Sequence, residues 1–149
     1  MSYDKRKNYL YIGMKLPSLN EYVEKCRTNP HVGASFKAQT ENNIGIFIQA
    51  CVAQGHLHPI TSPCEIVMDF YEMTRRRDVD NIQSAQKYIL DALQTAGILP
   101  NDNQKWVRQV HHRVLPSKGH GDCVYVYLIE GGHIELRYTD GETTVDSDD

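Results

Sequence analysis

Apolar positions change their period several times along the chain, and each change marks an element. In "NYLYIGMKL", residues 8–16, the apolar run reads as a first strand, stopped by Pro17. Phe36, Ile44, Phe47, Ile48 and Cys51 then recur at near-helical spacing within residues 35–54, although Gly45 lowers helix propensity there. "CEIVMDFYEM" (64–73) is rich in strand formers, and Ile66, Met68 and Phe70 alternate along it. The clearest helix follows. Ile82, Ala85, Ile89, Ala92, Leu93 and Ala96 form an apolar stripe that Gly97 closes. "WVRQVHHRVL" (106–115) and "CVYVYLIE" (123–130) read as two more strands, antiparallel neighbours across the loop "PSKGHGD". The order β-α-β-α-β-β predicts an α+β fold, a small mixed β-sheet with helices packed on one face.

Length and charge refine this picture. A chain of 149 residues is expected to form one domain with a sizeable core. Its formal charge of −3 is misleading, because residues 140–149, "DGETTVDSDD", carry five acids and no base. Without them 16 basic residues face 14 acidic ones, a net of +2. The expected organisation is a domain over residues 1–139 and a disordered acidic tail over 140–149. The bases bunch at Arg75, Arg76 and Arg77 and along Lys105, Arg108, Arg113 and Lys118. Such bunching fits a solvated face or a nucleic-acid surface.

No apolar run is long enough for a signal peptide or a membrane span, so a cytoplasmic protein with no membrane partner is expected. Cys26, Cys51, Cys64 and Cys123 are scattered without a C-x-x-C pair, which favours reduced, mostly buried thiols. His56, His58, His111 and His112 lack the spacing of the familiar zinc motifs.

Chemistry concentrates in "TRRRDVDNIQSAQKYILDAL", residues 74–93. Asp78 and Asp80 stand where a strand gives way to a helix, and residues two apart in extended backbone point to one side. Asp80 also fits an N-cap, with Gln83 three positions on to complete a capping box. That role does not exclude metal binding. Two adjacent carboxylates repel unless a cation joins them, and hard oxygen ligands at an open site suit Mg²⁺ or Mn²⁺. Asp102, in "LPNDNQKW", is a third candidate that spacing alone does not bring to the pair. Lys87 lies roughly 10 Å along the helix from Asp80. Its stem can reach toward the site, or it can form an ordinary i, i+4 surface pair with Asp91. A metal beside a basic rim suggests phosphodiester chemistry.

The series "RRRDVDN", Lys87, "LDALQTAGILP" and "NDNQ" resembles the RusA family of Holliday junction resolvases over residues 66–107. Pro17, Ser18 and Asn20 also match that family's early Pro-Ser-x-Asn loop. The resemblance implies a Mg²⁺-dependent endonuclease, with Mn²⁺ as a possible substitute, that works as a homodimer and nicks symmetric strands of a four-way DNA junction. On it, Asp78, Asp80 and Asp102 are the metal ligands and catalytic acids, and Lys87 is the catalytic lysine that stabilises phosphate or leaving-group charge. Arg75, Arg76 and Arg77 are implied to hold the DNA backbone, and Lys105 and Arg108 of the second basic cluster are further DNA-binding candidates. The implied reaction is in-line hydrolysis by an activated water.

Two departures accompany the match. The segment after "DVDN" is longer by about one helical turn, which takes Lys87 farther from Asp80, and Asn101 replaces the first acid of the D-D-x-Q pattern. Family members of this size often come from phages or prophages. Three other readings stay open: a protein that holds junctions without cutting, a nuclease acting on flaps or forks, and a scaffold whose aspartates only end a strand and cap a helix.

Overall fold

Residues Cys64–Glu72 form the central strand β2, in which every side chain but Tyr71 is buried. The computed structural model describes residues 8–74, 76–119, 121–131, 133–139 and 142–148. Strands β1 (Tyr9–Ile12), β3 (Val107–Pro116) and β4 (Cys123–Glu130) join β2 in a four-stranded sheet of order β1-β4-β2-β3. β3 runs parallel to β2, whereas β4 is antiparallel to both β1 and β2, so the sheet is mixed.

The pleat divides the residues of β2 between two faces. Cys64, Ile66, Met68 and Phe70 join Leu10, Ile12, Val124, Val126 and Leu128 in the main core. Helix α2 (Pro30–Ala53) adds Ile44, Ile48 and Cys51, and helix α4 (Gln86–Thr95) adds Tyr88, Ile89, Ala92 and Leu93. Burying each large apolar side chain here contributes about 1.5–3 kcal/mol. The fold is α+β, with these helices covering one face of the sheet. On the alternate positions of β2, Asp69 accepts two bonds from Arg113 at 3.3 Å each, and Glu65 meets His111 at 3.2 Å.

Four features differ from the expectations. β3 and β4 are not neighbours, because β2 lies between them. The helical segment after β2 carries the chain back to β2's starting end, so β3 pairs parallel and β4 takes the other edge. A further helix, α1 (Leu19–Thr28), precedes α2; it buries no residue completely, which leaves only a weak apolar stripe to read. The expected single helix is divided into α3 (Val79–Gln83) and α4, and the Ser84 hydroxyl between them donates to the carbonyl of Asn81 at 2.6 Å. Finally, Glu142–Asp148 forms strand β6, antiparallel to β5 (His133–Thr139), where a disordered tail was expected. Thr143, Thr144 and Val145 are strand formers despite the surrounding acids. Residues 140, 141 and 149 of that tail lie outside the described residues.

Among the described residues no helix is long and apolar enough to cross a membrane. The four cysteines are unpaired thiols, with Cys51, Cys64 and Cys123 buried and Cys26 half-buried. Burial pushes the Cys64 thiol up to about 12, which makes it a poor nucleophile.

Candidate functional site

The segment leaving β2 is held from several sides. The carbonyl of Glu72 accepts from the N–H of Ser117 at 2.9 Å, and Oδ1 of Asp122 accepts from the N–H of Met73 at 2.6 Å. Arg77 then turns inward. Its Nε and Nη2 donate to the two carboxylate oxygens of Glu72 at 2.9 and 3.1 Å, and its Nη1 donates to the carbonyl of Leu16 at 2.9 Å. Arg76 is exposed, while Arg75 lies outside the described residues.

Asp78, not Asp80, is the N-cap residue of α3, and its side chain makes no capping bond. Asp80 sits in the first turn, where its Oδ1 accepts from the N–H of Asn81 at 3.0 Å. The shift has a local cause. Asp78 keeps extended backbone, φ −67° and ψ 149°, and its carbonyl takes the first helical bond from Ile82 at 3.1 Å. Both aspartates are exposed, and among the described residues neither has an ion-pair partner.

The early loop is fastened to this segment. Ser18 caps α1 in a capping box with Glu21, and Ser18's carbonyl accepts from the Tyr88 hydroxyl at 3.4 Å. The N–H of Leu19 donates to the Ser84 hydroxyl at 2.9 Å, and the amide of Asn20 donates to Oδ1 of Asn81 at 2.7 Å. Ser18 and Asn20, which the sequence singled out by resemblance alone, therefore belong to a brace beside the segment that carries Asp78 and Asp80. Spacing gave no sign of Glu72, Asn81 or Ser84 as members of that brace. Behind the loop a cleft of about 440 Å³ opens between Lys15, Leu16, Pro17, Phe36, Gln39 and Asn43. Of the residues the sequence singled out, Pro17 lines it, whereas Asp78, Asp80, Lys87 and Asp102 do not.

Asp102 is elsewhere. Its loop leads into the start of β3, and the carbonyl of Trp106 accepts from the N–H of Cys64 at 2.8 Å, at the first residue of β2. Glu72, which anchors Arg77, is the last residue of β2, about 26 Å away at 3.3 Å per residue. The loop braces itself, since Asn101 accepts from the N–H of Asn103 and Asn103 from that of Lys105, both at 3.1 Å. Asp102 is exposed. Lys105 lies over the Trp106 ring at 5.7 Å, and Arg108 is exposed on β3.

Lys87 pairs with Asp91 at 3.4 Å, and Asp91 also meets Lys37 of α2 at 3.6 Å. This is the surface pair that helical spacing allows. The ammonium is more than half exposed, so the contact restrains it only weakly.

The donors at Asp78 and Asp80 have the hard-oxygen chemistry that Mg²⁺ and Mn²⁺ prefer. Among the described residues, however, no group of three or more His, Cys, Asp or Glu side chains converges to hold a metal. The expectation that extended backbone turns both carboxylates to one side does not hold, because only Asp78 is extended and Asp80 lies within α3, where residues two apart do not share a face. Comparison of the chain with family models and with curated proteins finds no match.

Proposed function

We propose that this chain is a Mg²⁺-dependent endonuclease of branched DNA, with the four-way junction as its main substrate. The observation that supports the reading best is the Asp78 and Asp80 pair. Both are exposed and free of ion pairs among the described residues, beside exposed Arg76 on a turn braced from three directions. Among the described residues Asp78's carboxylate makes neither a cap bond nor an ion pair, which leaves it open to a cation.

In this reading Asp78 and Asp80 hold the cation, and Arg76, with Arg75, Lys105 and Arg108, meets DNA phosphates. When bound, Mg²⁺ supplies charge neutralisation at the scissile phosphate. The bonds on either side of Asp78 and Asp80 hold the backbone that carries them while DNA arrives, so less ordering is needed at the moment of reaction. Asp102 lies toward the far end of β2 within one chain, and a homodimer offers a way for it to contribute. In a two-fold dimer, Asp102 of one copy meets the Asp78 and Asp80 of the other, giving two equivalent sites for two symmetric nicks.

The same separation of Asp102 from the pair favours one rival, a protein that holds junctions without cutting them. Incubating labelled junctions with the protein and Mg²⁺ decides between them. Nicks support the endonuclease, and tight binding without nicks supports the rival.

A further inference from the structure

We infer that Glu72 and Arg77 form a positioning clamp for the Asp78 carboxylate, and that Arg77 does not act as a DNA-backbone contact. The inference rests on the endonuclease reading and adds Glu72 to the residues that serve it.

Three observations carry it. First, the guanidinium is already engaged. Two of its nitrogens span both oxygens of Glu72, and the third donates to the carbonyl of Leu16, with all three distances between 2.9 and 3.1 Å. Second, the pair is sheltered. The Arg77 side chain is 17 % exposed and that of Glu72 is 9 % exposed, so a phosphate would have to displace a desolvated bidentate partner to reach the arginine. Third, the clamp closes on the chain directly before the acid. Arg77 turns back onto the last residue of β2, and its guanidinium ties that end of the strand to Leu16 between β1 and α1. The next residue is Asp78, whose carbonyl starts α3 and whose side chain is left without a cap bond.

The chemistry of the arrangement follows from planarity. A guanidinium satisfies two carboxylate oxygens and a carbonyl in one plane, which a lysine cannot do. The clamp therefore fixes the direction in which the chain enters α3, and with it the positions of Asp78 and Asp80 relative to the Leu16 loop. Exposed Arg76, one residue earlier, remains available to phosphate.

The test compares Glu72→Gln, Arg77→Lys and their double variant with wild type. Three readouts are used: junction cutting over a range of Mg²⁺, junction affinity in EDTA, and amide hydrogen exchange along 78–84. The clamp predicts that each single variant cuts roughly 10–100-fold more slowly and needs more Mg²⁺ for half-maximal cutting. It also predicts that the double variant is little worse than either single one. Affinity in EDTA should stay within about twofold of wild type, while exchange at Ile82 and Ser84 accelerates and that of β2 does not. Normal cutting by Glu72→Gln, together with weaker junction binding and a shallower salt dependence in Arg77→Lys, would overturn the clamp and return Arg77 to the DNA surface. If wild type cuts no branched DNA, the endonuclease reading fails by itself, and exchange at 78–84 still decides the clamp.

Discussion

Asn20 donates a side-chain N–H to Oδ1 of Asn81 at 2.7 Å, joining two segments 61 residues apart in the chain. The bond ties the first turn of α1 to α3, the helix that carries Asp80. Asn20→Ala should lower unfolding free energy by about 0.5–1.5 kcal/mol, as expected for one exposed hydrogen bond. Cutting should fall by more than this loss of stability explains, because the carboxylates lose a support. Thermal melts and cutting rates on the same preparations check this.

The separation of Asp102 from Asp78 and Asp80 leads to a complementation experiment. Asp80→Asn and Asp102→Asn chains should each be inactive alone. Mixed and re-equilibrated, they should regain nicking, since a heterodimer then holds one site with an intact pair from one chain and an intact Asp102 from the other. Failure of the mixture to nick, with heterodimers demonstrated by mass, would confine each site to a single chain.

Lys87 offers a sharper choice. If its only role is the pair with Asp91, Lys87→Met should cost a few tenths of a kcal/mol and leave cutting intact. The endonuclease reading predicts the same small stability change with a cutting rate at least tenfold lower. Asp91→Asn, which frees the ammonium, should leave cutting unchanged.

Much of this architecture is visible in the chain before any coordinates. Cys64–Glu72 reads as a strand because alternating apolar residues on a doubly buried strand leave few other options. The neighbour relation of β3 and β4 was misread because a short loop suggests a hairpin, whereas pairing is decided by which edge of β2 the helical crossover leaves open. The aspartates stand out by type, yet their local roles depend on one backbone choice, the extended conformation at Asp78. Arg77 belongs to a basic run in the sequence, and only the position of Glu72 five residues earlier shows where its charge is spent. β6 was hidden for a different reason: five acids in residues 140–149 outweigh three strand formers in any compositional reading.

A pH dependence follows from His112. Its ring stacks on Phe70 with centroids 6.2 Å apart, and its buried Nε2 has no hydrogen-bond partner among the described residues. Burial, and secondarily the neighbouring His111, lowers its pKa below the ordinary 6.5. As pH falls through about 6.5, the unfolded chain takes up a proton before the folded one does. His112's contribution to stability is therefore complete above that pH and is lost on the acid side, down to its folded pKa. Denaturant melts from pH 8 to 5 should show this loss in wild type and a flatter acid limb in His112→Leu.

The central claim is tested most directly by cutting. Labelled four-way junction, fork and linear duplex would be incubated with wild type and with Asp78→Asn, in Mg²⁺ and in EDTA. Paired symmetric nicks in the junction, present only with wild type and Mg²⁺, are the predicted result, with junction binding by Asp78→Asn retained in EDTA. Tight junction binding by wild type with no nick in either Mg²⁺ or Mn²⁺ would contradict the account and leave a protein that holds branched DNA without breaking it.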